Sequence, residues 1–172
     1  MQLLEEEMNF NTYIRKLKEV QDKSHLENGY SHIVYQIFEI ALDDEEYSIV
    51  DTSSLKRTIN KATAPRDVIA VPDFVITKKG YFFDNIQKSD DILGCVEVKY
   101  KDFDVINPDR LCSNPQNKGY LEVYSKVIYT NGWIWRLYDG RQEPVEINFR
   151  KNPSNATYGE LLKLLCSINW NV

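Results

Sequence analysis

Between residue 42 and residue 68 the hydrophobic pattern of this chain changes period, and that change constrains the fold more than any other feature. Up to Leu42 the apolar residues recur every three or four positions. Leu26, Tyr30, Ile33, Val34, Ile37, Phe38, Ala41 and Leu42 fall on one face of a helix. Ser24 followed by Glu27 has the form of a capping box at its start, and Asp43-Asp44-Glu45-Glu46 marks its end. From Val68 the apolar residues come instead in short β-branched and aromatic runs, the pattern of strands. A chain carrying both periods has to lay helices against a sheet.

The order of the segments sharpens this. Residues 3–21 carry Phe10, Tyr13, Ile14, Leu17 and Val20 at helical spacing on a narrow stripe, which predicts a peripheral N-terminal helix ahead of the main one. Residues 47–51 read as a first short strand and 52–66 as a polar loop. The runs VIAVPDFVIT, YFF and ILGCVEVKY follow as neighbouring strands, and residues 116–125 as a short helix. Then comes KVIYT, Asn131-Gly132 and WIWRLYD; an Asn-Gly between two such runs is the strongest short-range signal of a hairpin. A further strand, PVEINF, and a helix opening at Thr157-x-x-Glu160 complete the chain. The expected class is α/β, a mixed central β-sheet flanked by helices.

At 172 residues the chain fits a single domain able to bury a core without disulfides or a structural metal. No linker or repeat divides it. Cys95, Cys112 and Cys166 are odd in number and match no zinc spacing, and with two histidines they point to reduced thiols in a soluble, cytoplasmic protein. MQLLEEEMNF lacks the form of a signal peptide, and no apolar run approaches the roughly 20 residues of a membrane span. A net charge of −5 means that the molecule lacks the long-range positive field of a protein that grips nucleic acid unaided. Lys56, Arg57, Lys61 and Arg66 form one basic stretch, and Lys78, Lys79, Lys88, Lys99 and Lys101 another. Motor and methyl-transfer motifs are missing.

The residues able to carry chemistry lie on the strand runs. In Val96-Glu97-Val98-Lys99 the carboxylate and the ammonium are two positions apart and share a face, while the valines point the other way. Asp73, after Pro72, opens the strand before it, with enough chain between to form a hairpin. A Glu-x-Lys alone is usually a surface ion pair, and a Pro-Asp is usually turn chemistry. Here both sit among valines, isoleucine and phenylalanine, where a charge is costly unless it is paired or binds a metal. His25 and His32 read as surface or packing residues, and Trp133 and Trp135 as sharing a packed face of one strand.

Five pieces in order, over about residues 25–140, give the chain its resemblance. They are a helix with an early Glu27, Pro72-Asp73 on a strand, Glu97-Val98-Lys99 on the next long strand, Gln116-x-x-x-Tyr120 on a helix, and a hairpin at Thr130-Asn131-Gly132. In this order they resemble the PD-(D/E)xK nuclease superfamily, and more closely the nuclease domains at the start of type I restriction subunits and related restriction enzymes. The resemblance implies a restriction-endonuclease-like core over 24–140, with 141–172 adding a strand and a helix, within a larger modular protein or complex. It implies a metal-dependent deoxyribonuclease in which Asp73, Glu97 and the carbonyl of Val98 hold Mg²⁺, with Mn²⁺ as a substitute. Lys99 would orient the attacking water and offset phosphate charge, Glu27 would support the metal directly or through water, and Gln116 and Tyr120 would lie near the scissile phosphate. The implied partner is DNA, with targeting supplied elsewhere and a homodimer on DNA for double-strand cutting. Two other readings share the fold: an inactive nuclease-like module for DNA binding or assembly, and a transposon or recombination nuclease.

Overall fold

Asn9 opens the first helix, α1 (Phe10–Lys23), its side-chain oxygen accepting the backbone N–H of Thr12 at 3.1 Å. The structure is a computed structural model, and it describes residues 8–23, 26–54, 71–80, 91–108, 120 and 124–171. Helix α1 is not peripheral, as its narrow stripe had suggested. Tyr13 and Leu17 are fully buried members of the core. Two side chains suffice because each reaches far: the Tyr13 hydroxyl donates to the carbonyl of Gly132 and accepts from the Trp135 indole at 3.0 Å.

Helix α2 (Glu27–Ala41) buries Tyr30, Ile33, Val34, Ile37, Phe38 and Ala41, the face that the periodicity predicts. It starts later than its capping-box pattern implies. Leu26 is the cap and offers no side-chain hydrogen bond, so Glu27 is the first helical residue and not the third. Ser24 lies outside the described residues. At this position Glu27 meets the positive end of the helix dipole, and tertiary burial does the remaining work of holding the turn.

Six strands form one mixed sheet in the order β1 (Tyr47–Asp51), β2 (Phe74–Lys78), β3 (Ile92–Val98), β4 (Val127–Thr130), β5 (Ile134–Tyr138) and β6 (Val145–Asn148). All neighbours are antiparallel except β3 and β4, which run parallel. A parallel pair needs a crossover, and this one carries the short helix α3 (Asp102–Ile106) and Tyr120, whose carbonyl accepts the Tyr124 N–H at 2.8 Å. Central strands β2, β3 and β4 are almost wholly buried, whereas β1 and β6 are only partly so, as edges should be. Strand β2 begins at Phe74, later than its apolar run suggests, because Pro72 and Asp73 are taken up by Thr52. The YFF run lies outside the described residues.

The last helix, α4 (Asn155–Ser167), opens at Ser154 and not at Thr157. Ser154 is extended, and its hydroxyl accepts the Thr157 N–H at 3.2 Å, leaving Thr157 buried in the first turn. The Asn131-Gly132 signal does mark a hairpin, displaced by one residue: Asn131 N–H donates to Ile134 O at 3.3 Å, so Gly132 and Trp133 are the turn's central residues. Trp133 thus sits at the turn beneath the Arg150 guanidinium, 4.1 Å from its ring centre, while Trp135 packs on Phe38 of α2.

Alternation divides the sheet's two faces. Phe74, Val96, Ile128 and Trp135 face α1, α2 and α4, where the ring pairs Tyr35–Phe74 and Phe38–Trp135 form part of the main core. Val75, Cys95, Glu97, Tyr129 and Arg136 point the other way, toward α3 and Tyr120. Among the described residues no helix is long and apolar enough to cross a membrane.

Candidate functional site

Strand register brings Asp73 to Glu97. Phe74 stands opposite Val96, so the next residue outward on each strand is Asp73 facing Glu97, on the side of the sheet away from α2. The Asp73 carboxylate accepts the Val98 N–H at 2.7 Å, which pins it against the end of β3. Its main chain is fixed from β1. Thr52, fully buried, donates its hydroxyl to Pro72 O at 2.7 Å and its N–H to Asp73 O at 2.9 Å. Sequence reasoning missed Thr52, which lies in a polar stretch with no local signal; only the β1–β2 pairing gives it this neighbour.

Glu97 is 6% exposed, an unusual depth for a carboxylate. Lys99 reaches it with a 2.7 Å hydrogen-bonded ion pair, and both side chains are largely shielded from solvent. A shielded pair of this kind gains little net stability, and removing one partner typically costs about 3–5 kcal/mol because the other charge is stranded.

Tyr120 and Cys95 lie within electrostatic reach of both carboxylates. Burial pushes the Tyr120 hydroxyl far above the ordinary phenol range, and the charges of Glu97 and Asp73 push it further. Burial likewise raises the Cys95 thiol, with Glu97 and Asp73 adding to it, so this thiol stays protonated and inert. Tyr120 is therefore packed and close to the carboxylates at once, reconciling two readings of one residue.

Other expectations are not gathered here. Glu27 is exposed at the start of α2. Among the described residues no three or more Asp, Glu, His or Cys side chains converge as a metal-holding group. Gln116 lies outside the described residues, as do His25, Cys112, Lys88 and the basic stretch Lys56, Arg57, Lys61 and Arg66. The second basic stretch is not one patch. Lys78, paired with Asp91 at 3.2 Å, and Lys79 flank the start of β3, whereas Lys99 and Lys101 follow its end, about 20 Å away at strand rise.

The same face continues across the sheet into a second polar group. Arg136 on β5 and Glu146 on β6 stand opposite each other and form a two-point contact at 2.8 and 2.6 Å. Burial pushes the Glu146 carboxyl up, but hydrogen bonds from Asn148, Arg136 and Lys151 outweigh it and hold the pKa at about 2. This is an edge-strand ion pair with its charge satisfied.

Comparison with protein-family models, with characterised proteins and with solved structures finds no match to this chain.

Proposed function

We propose that this chain is a Mg²⁺-dependent DNA endonuclease domain with a restriction-endonuclease-like core, which hydrolyses phosphodiester bonds while another domain or subunit supplies targeting. The observation that carries the reading is the constellation at the end of β3: Asp73 and Glu97 facing each other on one sheet face, with the Lys99 ammonium 2.7 Å from Glu97. The side chains that meet there offer carboxylate oxygens, which is what a hard divalent ion takes. Asp73, Glu97 and the Val98 carbonyl would hold it, and Mn²⁺ would serve in its place. The topology supports the same reading. A helix, an antiparallel three-strand meander, a crossover bearing Tyr120 and a hairpin follow one another in the order of the nuclease pieces found in the sequence.

Bound Mg²⁺ would polarise the scissile phosphate and lower the cost of ionising a water beside it. The chain's own groups then have separate tasks. Lys99, drawn toward the phosphate from Glu97, offsets negative charge as it develops and orders the attacking water through its ammonium N–H groups. Tyr120 keeps bulk water away from one side, and its hydroxyl, held protonated by its surroundings, can donate but cannot add negative charge. Glu27, exposed at the start of α2, would act through water. A net charge of −5 opposes unaided binding to a polyanion, which is why targeting and most of the DNA grip are assigned elsewhere.

Nicking of supercoiled plasmid tests this, with Mg²⁺ or Mn²⁺ and excess protein, and with Asp73→Ala in parallel. The expected result is metal-dependent conversion to open circles that disappears in the variant while its circular dichroism is unchanged. Equal cutting by Asp73→Ala, or cutting that survives chelation, refutes the assignment.

A further inference from the structure

We infer that Asp102 and Asn131 are positioning residues for Lys99, an inference whose catalytic consequence rests on the nuclease reading. Lys99 lies one residue past the end of β3, where a chain would ordinarily fray. Its own N–H donates to Thr130 O at 2.8 Å, the last bond of the parallel ladder. Three residues on, Asp102 Oδ1 accepts from Asn131 Nδ2 at 2.7 Å. Thr130 and Asn131 are consecutive, so the two bonds close a small ring that contains Lys99, its two successors, Asp102 and the tip of the β4–β5 hairpin.

Both sides of this ring are anchored. Asn131 is fully buried, and its oxygen accepts the N–H groups of Trp133 at 3.1 Å and Ile134 at 2.9 Å, so its amide is fixed by the turn it caps. Asp102 is held by Arg150, with Nε at 3.1 Å from Oδ2 and Nη2 at 3.4 Å from Oδ1. Arg150 also lies over the Trp133 ring and reaches Gln21 of α1 at 3.1 Å. An exposed Arg–Asp bridge alone adds little to stability. Coupled to a buried amide beside the strand end that bears Lys99, it limits where the lysine backbone can go. A long side chain aimed from a fixed Cα loses less entropy on reaching its partner, and a displacement of about 1 Å at such a group can cost about 100-fold in rate.

The test reads Lys99 directly, by ¹⁵N NMR of lysine side-chain ammonium groups in the full chain. The Lys99 signal is identified by its loss in Lys99→Met. The unaltered protein should give a slowly exchanging Lys99 ammonium, and Asp102→Ala or Asn131→Ala should broaden it away while circular dichroism stays native. The exchanged pair Asp102→Asn with Asn131→Asp keeps the hydrogen bond with donor and acceptor reversed and should restore it. In plasmid nicking, each single variant should slow cutting about tenfold at saturating DNA without changing the DNA concentration needed, and the exchanged pair should come back to within about twofold. Asn131→Asp replaces the alanine variants should they unfold, since it sets a carboxylate against Asp102 in place of the donor while keeping the oxygen that Trp133 and Ile134 meet. A Lys99 signal unaltered in the folded single variants overturns the inference, as does a folded exchanged pair that restores neither signal nor rate. If the unaltered protein does not cut but the signals behave as stated, positioning stands and the nuclease reading falls.

Discussion

Replacing Gly132 by alanine makes two demands on the β4–β5 turn, and they separate experimentally. Gly132 has φ +78°, a conformation that costs an L-residue about 1–2 kcal/mol. A methyl group there would also stand 2.5 Å from Leu17 Cδ2, so a fully buried side chain of α1 would have to move within a packed core, at about 1–3 kcal/mol. Alanine narrows the unfolded ensemble and returns about 0.4–1 kcal/mol. The expected net loss is about 2–4 kcal/mol. Leu17→Ala alone should cost about 2–5 kcal/mol through the cavity it leaves. In that background the methyl at 132 meets open space, and its cost should fall to about 1 kcal/mol, a coupling of about 1–3 kcal/mol. Urea unfolding of the four proteins, followed by tryptophan fluorescence and circular dichroism, measures the cycle. Additive losses would refute the reasoning, since they would mean that Leu17 swings aside at no cost.

Three further outcomes follow from particular contacts. Gly94→Ala should destabilise by several kcal/mol without any help from backbone strain, because its Cβ would lie 2.6 Å from the Trp170 ring and 2.9 Å from the Lys126 carbonyl; a urea midpoint equal to that of the unaltered protein would contradict this. Glu146 is held at about 2 against an ordinary 4.5, so it stabilises the fold fully above the ordinary value. That contribution, at most about 3 kcal/mol, drains away as pH falls toward 2, and Glu146→Gln should flatten the stability–pH curve between pH 5 and 2.5 in urea titrations. Thr52→Val removes the hydroxyl bonded to Pro72 O and leaves that carbonyl unmet, so it should cost about 1–3 kcal/mol and slow nicking by displacing Asp73; normal nicking by a destabilised variant would separate Thr52 from the site.

What the sequence determined by itself is whatever rests on local period and local chemistry. The period-two alternation of Glu97 and Lys99 places both on one face in any strand, and the helical stripe from Tyr30 to Ala41 needs only its own spacing to define a buried side. The β1 and β4 runs and the existence of the hairpin are local in the same sense. Tertiary structure decided everything that depends on which surfaces meet. The start of α2 at Leu26, which makes no side-chain cap bond, moved away from its apparent cap, because a cap is worth about 1 kcal/mol and packing of the following turns outweighs it. Helix α1 is central because Tyr13 finds Gly132 and Trp135, residues distant in the chain. Helix α2 packs on the face opposite Glu97, and no one-dimensional pattern says which side of a sheet a helix will take. Thr52, Asp102 and Asn131 owe their roles to strand order, since each acts on a residue that only the folded sheet brings beside it.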